Sequence, residues 1–143
     1  MTDIPVAPPR IFLTRRYRDC PAMIDWLVDV IGFTRHFVVD EGKGGIAHAQ
    51  LAYGSAMIMV GSARDDEFGQ AVGQPGTGGG DGTSVYIAID DADALCEKLI
   101  AAGTEVPRPV EDTDYGSREF SCRDAEGLYW NFSTYWPKAS DTP

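Results

Sequence analysis

His48 and Gln50 stand two residues apart in the run HAQLAYG, and on an extended strand that spacing turns both side chains to one side of a sheet. An imidazole beside an amide can contact a polar ligand or, with a third donor, hold a metal; the plainer reading is a hydrogen-bonded structural histidine. Glu119 is the carboxylate that alternation puts on the same side as Ser117 and Ser121, with Phe120 and Cys122 turned away. It is the candidate general base, and the alternative is an ion pair with Arg118 or Arg123. The stretch Glu111 to Gly116 gathers Glu111, Asp112 and Asp114 at one rim, which would draw a basic group or else form a solvated turn. Phe12, Tyr86, Tyr129 and Tyr135 are rings able to stack on flat or cationic molecules.

These residues belong to a chain of 143 residues with a formal net charge of −10, and that charge speaks against nucleic acid and anionic lipid as partners. It suits a cationic ligand, or simply keeps the protein in solution. At 43% hydrophobic and 24% charged the sequence matches a folded domain, and its length allows one core rather than two. No apolar run reaches the roughly 20 residues needed to cross a bilayer, and the start MTDIPVAPPR lacks the pattern of a secretion signal, so a cytoplasmic location is expected. Cys20, Cys96 and Cys122 lie far apart without a CxxC pair, which reads as reduced packing residues.

Among the elements, the same order of signals occurs twice. Arg10 to Arg18 reads as a strand, Asp19 as a helix cap, and Met23, Trp26, Leu27, Val30 and Ile31 as an apolar stripe ended by Gly32. Ala92, Leu95, Cys96, Leu99 and Ile100 repeat that stripe after Asp90 or Asp91, with Gly103 as terminator. Each helix is followed by three extended runs: Phe33 to Asp40, Gly45 to Tyr53 and Ala56 to Gly61, then Thr104 to Val110, Arg118 to Asp124 and Leu128 to Trp136. The fold class expected is therefore α+β, with paired βαβββ modules whose mixed sheets curl around a cavity. One domain spans residues 10–136, as modules 10–62 and 83–136 joined by a flexible segment 63–82 that contains GTGGGDG.

Alternation then assigns faces. Leu128, Trp130 and Phe132 pack under the helices with Val85, Ile87 and Ile89, while Tyr129, Asn131, Ser84 and Tyr86 share the other side. Ala49 and Leu51 separate in the same way from His48 and Gln50.

The duplication, the run HAQLAYG followed by AMIMVGS, and the ending YGSREFSCRDAEGLYWNFSTYWP resemble the vicinal oxygen chelate superfamily, the glyoxalase, bleomycin-resistance and dioxygenase group. Ala125 stands where that family's final turn commonly has a proline. The resemblance implies a cavity that in metal-dependent members holds a divalent ion through His, Gln or Glu. Carried over, those positions fall on Phe12, Met59, Ser84 and Asn131, none of them a strong ligand, so neither a metal nor another cofactor is expected. Asn131 also stands where the family's isomerases have a Glu, and an amide cannot abstract a proton.

The expectation is a metal-independent small-molecule-binding protein, sequestering a cationic or aromatic antibiotic, with Phe12, His48, Gln50, Met59, Ser84, Tyr86, Glu119, Ser121, Tyr129 and Asn131 around the ligand. A homodimer is the expected assembly. The alternative is a metal-dependent lyase, isomerase or dioxygenase, and the sequence leaves open whether any reaction is catalysed.

Overall fold

A computed structural model describes residues 8–75 and 82–138. The first half runs β1 (Leu13–Tyr17), α1 (Cys20–Trp26) with a π-helical turn Leu27–Ile31, β2 (Thr34–Asp40), β3 (Ile46–Tyr53) and β4 (Ala56–Ser62). After α2 (Glu67–Val72) the second half runs β5 (Val85–Ala88), α3 (Ala92–Ala101), β6 (Glu105–Asp112), β7 (Arg118–Arg123) and β8 (Tyr129–Ser133). The strands form two four-stranded mixed sheets of equivalent order, β1-β4-β3-β2 and β5-β8-β7-β6. In each, the outer strand that precedes the helix pairs in parallel and the remaining pairs are antiparallel. The α+β class and the paired βαβββ modules follow the pattern written in the sequence.

The helix signals act as their chemistry requires. The Asp19 carboxylate accepts the Ala22 amide at 3.2 Å, and Asp91, rather than Asp90, accepts that of Ala94 at 3.0 Å. Gly32 ends the first helix at φ 110°, a left-handed conformation in which a side chain would be strained. The stripe of α3 buries Ala92, Leu95, Cys96 and Leu99, but Ile100 remains 59% exposed. Its position on the last turn, where the Thr104 amide folds back to Leu99, lies beyond the edge of the packed face. The π-helical turn also departs from the regular stripe: both Gly32 and Phe33 amides bond to the Leu27 carbonyl, widening the final turn while keeping Leu27 and Ile31 buried.

Two strand ends are shorter than the runs suggested: β1 begins at Leu13, not Arg10, and β8 ends at Ser133, not Trp136. Pairing decides both, since the ladder of β1 starts at Leu13 and that of β8 ends at Ser133. The joining segment 63–82 contains the helix α2, capped by Asp66 onto the Gly69 amide at 2.9 Å. Residues 76–81, most of the GTGGGDG run, lie outside the described residues.

Tyr17 and Leu51 from the first sheet, Leu27 and Leu99 from the helices, and Phe120, Trp130 and Phe132 from the second sheet lie in one buried cluster. Trp26 and Phe33 meet Trp130 edge-on at ring separations of 6.1 and 6.4 Å. Polar contacts lock the same seam. The Tyr17 hydroxyl donates to Asp124 at 2.8 Å, Trp130 Nε1 donates to the same carboxylate at 3.0 Å, and Glu126 accepts the backbone amides of Arg18 and Asp19 at 2.5 and 2.8 Å. Each sheet therefore turns one face to a shared core and leaves the other face open, and the chemistry-bearing side chains sit on the open faces.

Candidate functional site

On the second sheet, β8 stands between β5 and β7, which aligns Tyr86 and Ser121 with Asn131. Ser121, fully buried, donates to Asn131 Oδ1 at 2.9 Å; Asn131 Nδ2 donates to Ser84 Oγ at 3.0 Å and to the Val85 carbonyl at 3.4 Å. The amide is thus held between two hydroxyls with both ends engaged. Tyr86 donates its hydroxyl to the Tyr135 carbonyl at 2.6 Å. Partial burial raises its pKa, opposed by a hydrogen bond with Ser133 and aided by the Glu119 charge.

Glu119 lies on this face and is 13% exposed, but it is not free: Arg108 pairs with it at 3.2 Å and the Tyr115 hydroxyl donates to it at 3.1 Å. The partner is Arg108, not the Arg118 or Arg123 considered from sequence. Arg118 instead binds Asp93 and Asp112, both at 2.9 Å, and Arg123 faces Glu105 at 3.5 Å. Arg108 also reaches Glu111 at 3.8 Å. Both carboxylate oxygens of Glu119 are therefore engaged, Oε1 by Arg108 and Oε2 by Tyr115. Tyr129 lies under the Arg123 guanidinium at 5.4 Å.

On the first sheet, Thr14, Met59 and Gln50 align across β1, β4 and β3. Gln50 Nε2 and His48 Nε2 are 3.1 Å apart, and the His48 ring lies 6.3 Å from that of Phe37. Phe12 stands immediately before β1, and its ring is exposed.

The candidates anticipated from sequence therefore form two groups: Phe12, His48, Gln50 and Met59 on one sheet, and Ser84, Tyr86, Glu119, Ser121, Tyr129 and Asn131 on the other. No hydrogen bond or ring contact joins the groups among the described residues. A cavity of about 760 Å³ does lie between the halves, lined by Leu13, Phe33, Tyr53 and Met57 of the first and Val85 and Ile87 of the second. Of the anticipated residues, Tyr86 alone lines it. Sequence reasoning also missed Arg108 and Tyr115. The run Thr104 to Val110 was read as extended, but only the pairing of Arg108 with Ser121 brings its guanidinium to Glu119.

The four positions that the resemblance equates with metal ligands do not fit a metal. Phe12 and Met59 lack hard donors, while the Ser84 hydroxyl and both ends of the Asn131 amide are committed to each other and to Ser121. Among the described residues no three His, Cys, Asp or Glu side chains converge as a metal would need.

A family model described as the Glyoxalase/Bleomycin resistance protein/Dioxygenase superfamily matches residues 11–132. Among solved structures, TioX from Micromonospora sp. ML1 is similar at 26% identity and a TM-score of 0.68, over 92% of this chain and 100% of that one. A glyoxalase/bleomycin resistance protein/dioxygenase superfamily member from Sphaerobacter thermophilus DSM 20745 shares the fold at 19% identity and a TM-score of 0.64, over 87% of this chain and 97% of that one. So does the fosfomycin resistance protein FosX from Mesorhizobium loti, at 15% identity and a TM-score of 0.64, over 92% and 94%. A comparison with curated proteins finds no match.

Proposed function

The chain belongs to the Glyoxalase/Bleomycin resistance protein/Dioxygenase superfamily, and from that premise we propose that it binds a flat aromatic small molecule without a metal and without transforming it. The observation that carries this reading is the Ser84–Asn131–Ser121 cluster: Ser84 and Asn131 stand at ligand-like positions, and the cluster is satisfied internally and offers neither a metal site nor a base. Tyr86, Tyr129 and Phe12 supply rings at the open faces, and aromatic stacking needs no charge. Sequestration of a molecule of this kind, an antibiotic among them, requires only affinity. The aromatic character is better supported than the cationic one, because Glu111, Asp112 and Glu119 are each engaged by an arginine.

A second copy of the chain is the proposed partner. Strands β1 and β5 each have one unpaired edge, and both contribute to the lining of the apolar cavity, beside exposed Ile11 and Trp136. The cytoplasm is the proposed location, in keeping with three buried free thiols.

The test combines metal analysis with ligand screening. Protein purified without chelator and then offered nickel, zinc, manganese or ferrous iron is expected to retain no stoichiometric metal. A panel of planar aromatic compounds, cationic antibiotics included, is expected to raise the melting temperature of that metal-free protein, and Asn131→Ala to change the response with little loss of stability. Tight stoichiometric metal would favour the lyase, isomerase or dioxygenase alternative.

A further inference from the structure

Arg16 projects from β1 onto the open face of the first sheet, and its surroundings differ from those of the guanidiniums on the other sheet. It pairs in register with Gly61 of β4, and the guanidinium lies directly over that residue: a methyl group added to Gly61 would collide with Arg16 Nη1. The glycine thus opens a slot across the strand. Through it Nη1 reaches the Ala47 carbonyl at 3.3 Å, and the Phe68 ring of α2 covers the group with its centroid 5.1 Å from the guanidinium carbon. The head group is positioned by packing and by one backbone oxygen.

What it lacks is an ion-pair partner. Arg108 and Arg123, on the open face of the second sheet, are paired with Glu119 and Glu105, whereas among the described residues no acid forms an ion pair with Arg16. Glu41, Asp65 and Asp66 line the same recess of about 470 Å³; none of them is in an ion pair with Arg16, and Asp66 is held by Arg64. The neighbours toward the middle of the sheet are donors. Since Val60 pairs with Ala49, the next residues, Gly61 and His48, face each other, so Arg16 and His48 flank the glycine; Thr14 and Gln50 flank Met59 in the adjacent row. A guanidinium held in place with unused N–H groups, on the same sheet face as a hydroxyl, an amide and an imidazole of adjacent rows, matches the planar fork of a carboxylate.

We propose that Arg16, with His48, Gln50 and Thr14, forms an anion seat that selects ligands carrying a carboxylate. This deepens the aromatic-ligand reading and rests on it: the ring stacks on the open face while the carboxylate engages Arg16. The net charge of −10 repels anions at long range, but that field is screened over about 8 Å at physiological salt, and the short charge-assisted bonds decide the preference.

Three probes of one shape separate the ideas: 2-naphthoate, 2-naphthamide and 2-naphthylmethylammonium, titrated calorimetrically into the wild-type protein, Arg16→Met and Arg16→Lys. The wild type is expected to bind naphthoate about tenfold more tightly than the other two. Arg16→Met should lower naphthoate to the level of the amide while leaving amide binding unchanged, and Arg16→Lys should keep part of the preference. Equal or tighter binding of the amide or the ammonium by the wild type would overturn the anion seat and leave the aromatic reading standing, as would a preference that survives Arg16→Met. Should Arg16→Met fail to fold, the wild-type ranking and Arg16→Lys decide. Binding of none of the three would refute the aromatic reading and the anion seat together.

Discussion

Tyr17 carries its hydroxyl into the seam between the two halves, where it donates to Asp124 at 2.8 Å with no solvent access. Burial first, and then the charge and hydrogen bond of Asp124, hold its pKa well above the ordinary 10.0. Above pH 10 the unfolded chain therefore releases this proton while the folded one keeps it, so stability falls as pH rises through that range. Urea midpoints between about pH 9 and 11 are expected to drop more steeply for the wild type than for Tyr17→Phe; parallel slopes would remove the ionisation of Tyr17 from the alkaline loss. Burial likewise pushes the Cys20 and Cys122 thiols up to about 12, so both behave as packing groups rather than nucleophiles. That role was readable from their spacing, but the partner of Tyr17 was not, because Asp124 lies 107 residues away in the chain.

At the level of elements, the start of α1 is capped twice. Asp19 binds the Ala22 amide from within its own segment, and Glu126, from the turn before β8, takes the amides of Arg18 and Asp19. The local cap is a sequence signal; the distant one is a property of the assembled halves. Glu126 is 8% exposed, and its removal leaves two backbone amides without an acceptor. Glu126→Ala is expected to cost roughly 2–4 kcal/mol in urea unfolding, against about 1 kcal/mol for Asp19→Ala. Equal costs would mean that the cross-half cap contributes nothing beyond the local one. The helix α2 shows the opposite case, a local signal overlooked: Asp66 is an ordinary cap, but the surrounding Gly, Asp and Gln residues favoured a linker reading.

For the whole molecule, the free edges of β1 and β5 and the cavity beside them lead to an expected sedimentation mass of twice the chain. A monomer at micromolar concentration would leave the exposed Ile11 and Trp136 unexplained by a second copy and would overturn the proposed assembly. What the sequence by itself determined was the repeated order of elements, the helix caps, and the inward set Leu51, Phe120, Trp130 and Phe132, because periodicity and capping act over a few residues. It also separated the open-face side chains from the core. Only the tertiary structure decided that these side chains fall into two groups on separate sheets, that Glu119 pairs with Arg108, and that Arg16 rests over Gly61 without an ion pair among the described residues. Alternation tells which side of its own strand a residue faces; which strands become neighbours, and which charges then meet, depends on how two sheets pack around one core.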